Sequence, residues 1–136
     1  MGTVISRNIK VSNTSDNPLY VDFQQSGILI NTYNEILSLA GLASADLVLY
    51  TVPVGKKLLL KRVDYSGGNI SIYQVTINAS VEAKKRLYFT EYNGEFVFED
   101  YLLNAGDIIK LLVENKTNMT ADFNGNLQGR LIDAWT

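Results

Sequence analysis

Apolar and polar residues alternate along most of the chain with a period of two, most clearly between Thr51 and Phe89. Tyr73, Val75 and Ile77 lie between Gln74, Thr76 and Asn78, the pattern of a strand with one buried and one wet face. Val52-Pro53-Val54-Gly55 punctuates the stretch with a proline that cannot donate to a ladder and a glycine free to take positive φ, so a turn is expected there. Ser66-Gly67-Gly68-Asn69 ends the next extended run with residues that suit a tight hairpin. Strands are predicted near residues 35–42, 46–52, 58–65, 70–78, 81–89, 95–102, 107–114 and 119–131. That spacing predicts an all-β fold, an antiparallel β-sandwich of jelly-roll or immunoglobulin-like type. Residues 35–46, with Leu37, Leu39, Leu42 and several alanines, suit a short helix equally well. In the last strand Ala121, Phe123, Gly125, Leu127, Gly129 and Leu131 take every second position, so the two glycines face inward and predict a bulge or a close backbone approach.

Ahead of this regular pattern, residues 1–33 are polar and turn-rich, and the chain divides into an N-terminal arm at 1–33 and a sandwich domain at 34–136. Ser12 to Pro18 predicts a hinge. Beyond it Leu19, Val21 and Phe23 share one side of an extended segment, with Tyr20 and Asp22 on the other. Such a segment pairs with a sheet edge, either its own or a partner's. Pro18, Leu19, Val21 and Phe23 are therefore candidate partner-binding residues.

A chain of 136 residues is one domain of ordinary size. Fourteen acidic and twelve basic side chains leave a net charge of -2, which gives no field to hold nucleic acid or an anionic membrane. No apolar run approaches the roughly 20 residues that span a bilayer. The first thirteen residues lack the basic start and apolar core of a secretion signal, so folding in the compartment of synthesis is expected. Cysteine and histidine are both absent, and with them go disulfides, thiolate nucleophiles, Cys/His zinc sites and histidine bases. No cofactor, metal or catalytic residue is expected.

Four constellations bear on function. Asp122, Asn124, Asn126 and Asp133 stand at calcium-loop positions one, three, five and twelve, but Leu127 occupies the sixth position, where the sharp turn needs glycine. Lys84, Lys85 and Arg86, close to Tyr88, Phe89 and Tyr92, carry a weak signature of single-strand nucleic-acid binding. Alternation there puts Val81, Ala83, Leu87 and Phe89 on one face and Lys84 and Arg86 on the other, leaving Lys85 pointed at the apolar side. A bulge, or a carboxylate from this subunit or the next, accounts for it, and Lys85 is a candidate partner-binding residue. Glu91, Glu95, Glu99 and Asp100 form the densest acidic set, beside an expected hairpin at Asn93-Gly94; paired carboxylates can hydrolyse glycosides, although a turn needs polar residues anyway. Tyr88, Tyr92, Tyr101 and Trp135 could form a sugar-stacking platform. The Asn-x-Ser/Thr triplets starting at Asn13, Asn69, Asn78, Asn115 and Asn118 read as turn chemistry.

The turn Val-Pro-Val-Gly-Lys at 52–56, the strand ending in Ser-Gly-Gly-Asn-Ile at 66–70, Tyr-x-Val-x-Ile-Asn-x-Ser at 73–80, Lys-Lys-Arg-Leu-Tyr-Phe at 84–89 and Leu-Asn-Ala-Gly-Asp-x-Ile at 103–109 together resemble small β-sandwich accessory proteins of tailed-phage virions. These occur as collar, tail, head-fibre or decoration components, and the resemblance covers roughly residues 34–131. It implies a non-enzymatic structural or attachment role through protein-protein contacts, assembly in the host bacterial cytoplasm and residence in the virion. It also implies a homo-oligomer, a homotrimer by analogy with fibres and collars, and an N-terminal arm that docks on other virion proteins. A carbohydrate-binding module for host-surface recognition is the alternative, with a glycan as its partner.

Overall fold

The alternation becomes antiparallel strands in the computed structural model, which describes residues 27–68, 70–88 and 91–134. These are β1 (Ile28–Leu39), β2 (Ser44–Thr51), β3 (Lys56–Gly67), β4 (Ser71–Ile77), β5 (Ser80–Leu87), β6 (Asn93–Leu103), β7 (Ile108–Asn115) and β8 (Ala121–Asp133). No helix occurs among the described residues, so the segment 35–46 is strand and turn. Apolar spacing there fits either period, and β8 decides by offering β1 a ladder from Ile28 to Leu39. Residues 28–33 thus belong to β1. Pro18, Leu19, Val21 and Phe23 lie outside the described residues.

The strands form two four-stranded sheets, ordered β1-β8-β3-β6 and β2-β7-β4-β5. β1 pairs with β8, β2 with β7, β3 with β6 and β4 with β5, so the chain is a long antiparallel ribbon doubled back and rolled over itself. This is jelly-roll pairing and decides between the two sandwich types expected. Its consequence is that successive strands cross between sheets everywhere except at β4–β5. The hairpins expected at Ser66–Asn69 and at Asn93-Gly94 are instead crossovers, and Asn93 and Gly94 open β6. Glycine and asparagine report a sharp change of direction without saying which sheet the chain enters next. Among the described residues the one same-sheet hairpin turns at Asn78 and Ala79, with φ of 51° and 70°, the left-handed pair that a two-residue turn requires.

Leu47, Leu58, Leu60, Val63, Tyr73, Ile109, Leu111, Val113 and Leu127 are withdrawn from solvent between the sheets. Each large side chain so buried contributes about 1.5–3 kcal/mol. Tyr65 of β3 stacks on Tyr73 of β4 at 4.2 Å between ring centroids, and Phe96 and Phe123 extend the aromatic cluster at 4.9 and 6.2 Å. Burial pushes the Tyr73 hydroxyl up to about 12, against a weaker pull from Ser71. Both inward glycines of β8 do what their spacing predicts. A Cβ at Gly125 would stand 2.6 Å from Leu111 Cδ2 on the facing sheet, so only glycine lets the sheets approach there. At Gly129 the register with β3 shifts, and a Cβ would meet the Leu59 carbonyl at 2.7 Å.

The two ends of the sandwich are tied by different devices. At one, Val52 and Asp107 exchange backbone contacts through Val52 N to Asp107 O at 3.0 Å and Gly106 N to Val52 O at 2.9 Å. Asn78 Nδ2 donates to Asp107 Oδ1 at 2.9 Å, and Ile108 N donates to Asn78 Oδ1 at the same distance. The Val-Pro-Val-Gly and Leu-Asn-Ala-Gly-Asp motifs are thus partners in one turn assembly. At the other end the fully buried Asn115 donates to the carbonyls of Leu39, Ala40 and Met119 and accepts from the Thr117 N–H and hydroxyl.

Candidate functional site

Strand register sets out the outer face of the β1-β8-β3-β6 sheet row by row. Leu29, Arg130, Leu59 and Leu102 lie side by side across all four strands. The next row outward-facing on β3 runs Asn31, Gln128, Arg62 and Val97, and after it come Tyr33, Asn126, Asp64 and Glu95, then Glu35, Asn124, Ser66 and Asn93. The face therefore divides along the strands. One half carries exposed apolar side chains around Arg130, with Leu29 67%, Val97 61% and Leu102 49% exposed, far above what a sheet face buried against its own core would leave. The other half is polar and concave.

The concave part is a basin of about 570 Å³ between β6, β3 and β8. Gly94 opens it, because a Cβ there would collide with the Tyr65 hydroxyl at 2.6 Å and its ring at 2.8 Å, and glycine lets that ring close the floor. Arg62 lies between two carboxylates, with Nε 3.4 Å from Asp64 Oδ1 and a terminal nitrogen 3.7 Å from Glu95 Oε1. Burial raises the Asp64 carboxyl above its ordinary range, Arg62 opposes the shift, and Glu95 across the strand pair adds to it. Ser66 Oγ donates to Asn124 Oδ1 at 2.8 Å, and the side-chain oxygen of Asn126 is enclosed without a hydrogen-bond partner. At the side of the basin, on the same row, the Tyr33 ring is 57% exposed and its hydroxyl donates to Glu35.

The residues singled out from sequence fall elsewhere or in other roles. Asp122, Asn124 and Asn126 are strung along β8 rather than around a loop, and Asp122 Oδ1 accepts from the Ser38 N–H at 2.8 Å, bracing a left-handed residue of β1. Among the described residues no group of three or more acidic side chains could hold a metal ion. Lys85 sits on β5 opposite Tyr73, on the inward side as alternation predicts, and is exposed at the sheet edge. A bulge does intervene in β5, at Glu82, but it precedes Ala83 and leaves Lys85 on that side.

The acidic set is dispersed. Glu91 receives the Tyr88 N–H, Glu99 and Asp100 form a left-handed bulge with φ of 51° and 64°, and Glu95 alone reaches the basin. Tyr88 and Tyr92 flank the β5–β6 crossover, whereas Tyr101 stands at the far end of β6, about 3.3 Å per residue away, so the three do not form one platform. Arg86 lies over the Tyr88 ring at 5.7 Å. Phe89 and Trp135 fall outside the described residues. Asp64 and Arg62 carry no local signature in the sequence, and Asn93 reads there as a turn residue. The signal is non-local: the polar alternation Arg62-x-Asp64-x-Ser66 on β3 pairs with Asn124-x-Asn126-x-Gln128 on β8.

No protein-family model matches the chain, and no curated protein matches it.

Proposed function

We propose that this chain is a non-enzymatic structural or attachment protein that works through protein-protein contacts, as a homo-oligomeric component of a tailed-phage virion. The observation that carries the reading is the apolar half of the outer sheet face, where Leu29, Val97 and Leu102 are exposed together with Leu59 between them. Isolated exposed apolar residues are ordinary, but Leu29, Leu59 and Leu102 share one row, broken by Arg130 on β8, with Val97 in the next row, and together they make a surface suited to burial against another protein. The edge strand β1 adjoins that row. Among the described residues it pairs with β8 alone, keeps an unbroken register from Ile28 to Ile36, and carries a single charged residue, Glu35. A regular, weakly charged edge next to an apolar face favours closed symmetric association, in which identical subunits cover both features at once. Placement in a virion rests on the resemblance of the turn and strand motifs.

Light scattering of the purified chain at about 50 micromolar, a concentration that fills micromolar interfaces, should give a multimer. Leu29→Lys combined with Leu102→Lys should yield a monomer with an unchanged melting temperature. A monomeric wild-type chain would sink the assembly reading. Mass spectrometry of purified phage particles should find the chain as a particle component, and particles lacking it would sink the virion reading.

A further inference from the structure

We infer that the basin on the outer face of the first sheet is a binding site for a neutral saccharide, held by Asp64, Glu95, Asn124 and Asn126 with Tyr33 at its side. Its volume of about 570 Å³ falls within the roughly 300–1,000 Å³ typical of small-ligand sites. The chemistry of its walls selects the ligand. Most such sites are mainly apolar, whereas about half of this lining is polar: amides, a hydroxyl, two carboxylates and one guanidinium beside Tyr65 and Gly94. Carboxylates accept from pairs of adjacent hydroxyls, an amide both donates and accepts, and arginine donates from a rigid fork, so together they match a ligand that is donor and acceptor at every carbon. Two carboxylates against one arginine leave the basin at 2 − 1 = 1 excess negative charge, which disfavours an anion.

Two features separate this site from a merely solvated sheet face. The Asn126 oxygen is enclosed and unpartnered, a buried acceptor that a rotation of the amide would bring to a ligand hydroxyl. Arg62 stands near both carboxylates, at 3.4 and 3.7 Å, and offsets part of their charge without fixing them. On the same row, the exposed Tyr33 ring is a flat apolar surface for the C–H face of a pyranose. This site is distinct from the surface tyrosines Tyr88, Tyr92 and Tyr101, and its lining residues Asp64, Asn124 and Asn126 lie on the inner strands β3 and β8 rather than on the β1 edge.

A printed array of neutral and acidic oligosaccharides, probed with the full chain and followed by calorimetric titration of the strongest neutral hit, tests it. The wild-type chain should retain neutral glycans, and Asp64→Ala and Asn126→Ala should each weaken binding by about tenfold or more, the loss expected when a ligand hydroxyl leaves a charged or amide partner. Asp64→Asn keeps the shape of the site and serves if the alanine variant melts early; it should weaken binding too. Leu29→Lys should leave the affinity per subunit unchanged while disrupting assembly. A silent array, retention of acidic glycans only, or unchanged binding in every folded basin variant overturns the inference, and none of these outcomes touches the oligomeric state.

Discussion

Asn115 is the residue whose removal the fold should feel most for its size. It is fully buried, yet its side chain makes five hydrogen bonds to the β1–β2 and β7–β8 connections. Alanine there takes the Asn115 donor from the Leu39 carbonyl and the acceptor from the Thr117 N–H, while the Ala40 carbonyl keeps the Ala43 N–H and the Met119 carbonyl keeps the Thr117 hydroxyl. The expected cost is about 2–4 kcal/mol, since each buried group left unpaired costs about 1–3 kcal/mol and some will find water. Urea unfolding of Asn115→Ala checks this, and a loss under about 1 kcal/mol, within the range of ordinary surface changes and small core losses, would show that the connections hold themselves. Gly125 fails in the opposite sense. Gly125→Ala adds a methyl 2.6 Å from Leu111 Cδ2 and 3.1 Å from Leu47 Cδ2, so it should destabilise by about 1–3 kcal/mol by overpacking. Combining it with Leu111→Val should recover part of that loss, because the clash is with the end of one side chain.

At the scale of elements, the sequence disclosed strand positions and inward faces but not their partners. β3 to β8 lie within a few residues of the predicted strands because alternation, glycine and proline are local signals. Crossovers were mistaken for hairpins at Ser66–Asn69 and Asn93-Gly94 because sheet membership is set by pairings far apart in sequence, such as Gly125 with Tyr65. The basin stayed hidden for the same reason: Asp64, Glu95 and Asn126 come from three strands, and only register makes them neighbours. Edges differ in how they are protected. β2 bulges at Leu47, β6 bulges at Glu99 and Asp100, β5 carries Lys84, Lys85 and Arg86, and β1 has the longest regular register.

The turn that locks β4–β5 to β6–β7 gives a prediction in pH. Hydrogen bonds from the Asn78 amide and the Asn104 N–H hold the Asp107 carboxyl below its usual 3.8. A carboxyl whose folded pKa is depressed stabilises the fold above the unfolded value, and that contribution disappears as pH falls through the folded value. Asp133 beside Lys56 acts in the same sense. Asp64 acts oppositely, because its raised folded pKa makes its ionisation weaken the fold as pH rises through its range. Melting temperature followed downward from pH 6 should therefore fall less steeply in Asp107→Asn than in the wild type, and more steeply in Asp64→Asn. Parallel curves for all three proteins would mean that neither carboxyl titrates differently on folding.

For the whole molecule the question is what the N-terminal segment contributes. The buried apolar core among the described residues begins at Leu47 and ends at Leu127, and β1 completes its sheet from Ile28 onward. Residues 28–133 form a complete set of jelly-roll pairings among the described residues. If Leu19, Val21 and Phe23 serve as an anchoring arm, their apolar side is matched to a partner rather than to this core. Deleting residues 1–23 should then leave the melting temperature within a few degrees of the full chain, since a core loss of even one large side chain, about 2–5 kcal/mol, would move it by about 4–8 °C per kcal/mol for a domain near this size. The same deletion should abolish incorporation into particles while leaving self-association through Leu29 and Leu102 intact. A melt lowered by ten degrees or more would place those three side chains in the sandwich itself and end the anchor hypothesis, whereas an unchanged melt with normal incorporation would assign attachment to the β1 edge and the apolar face alone.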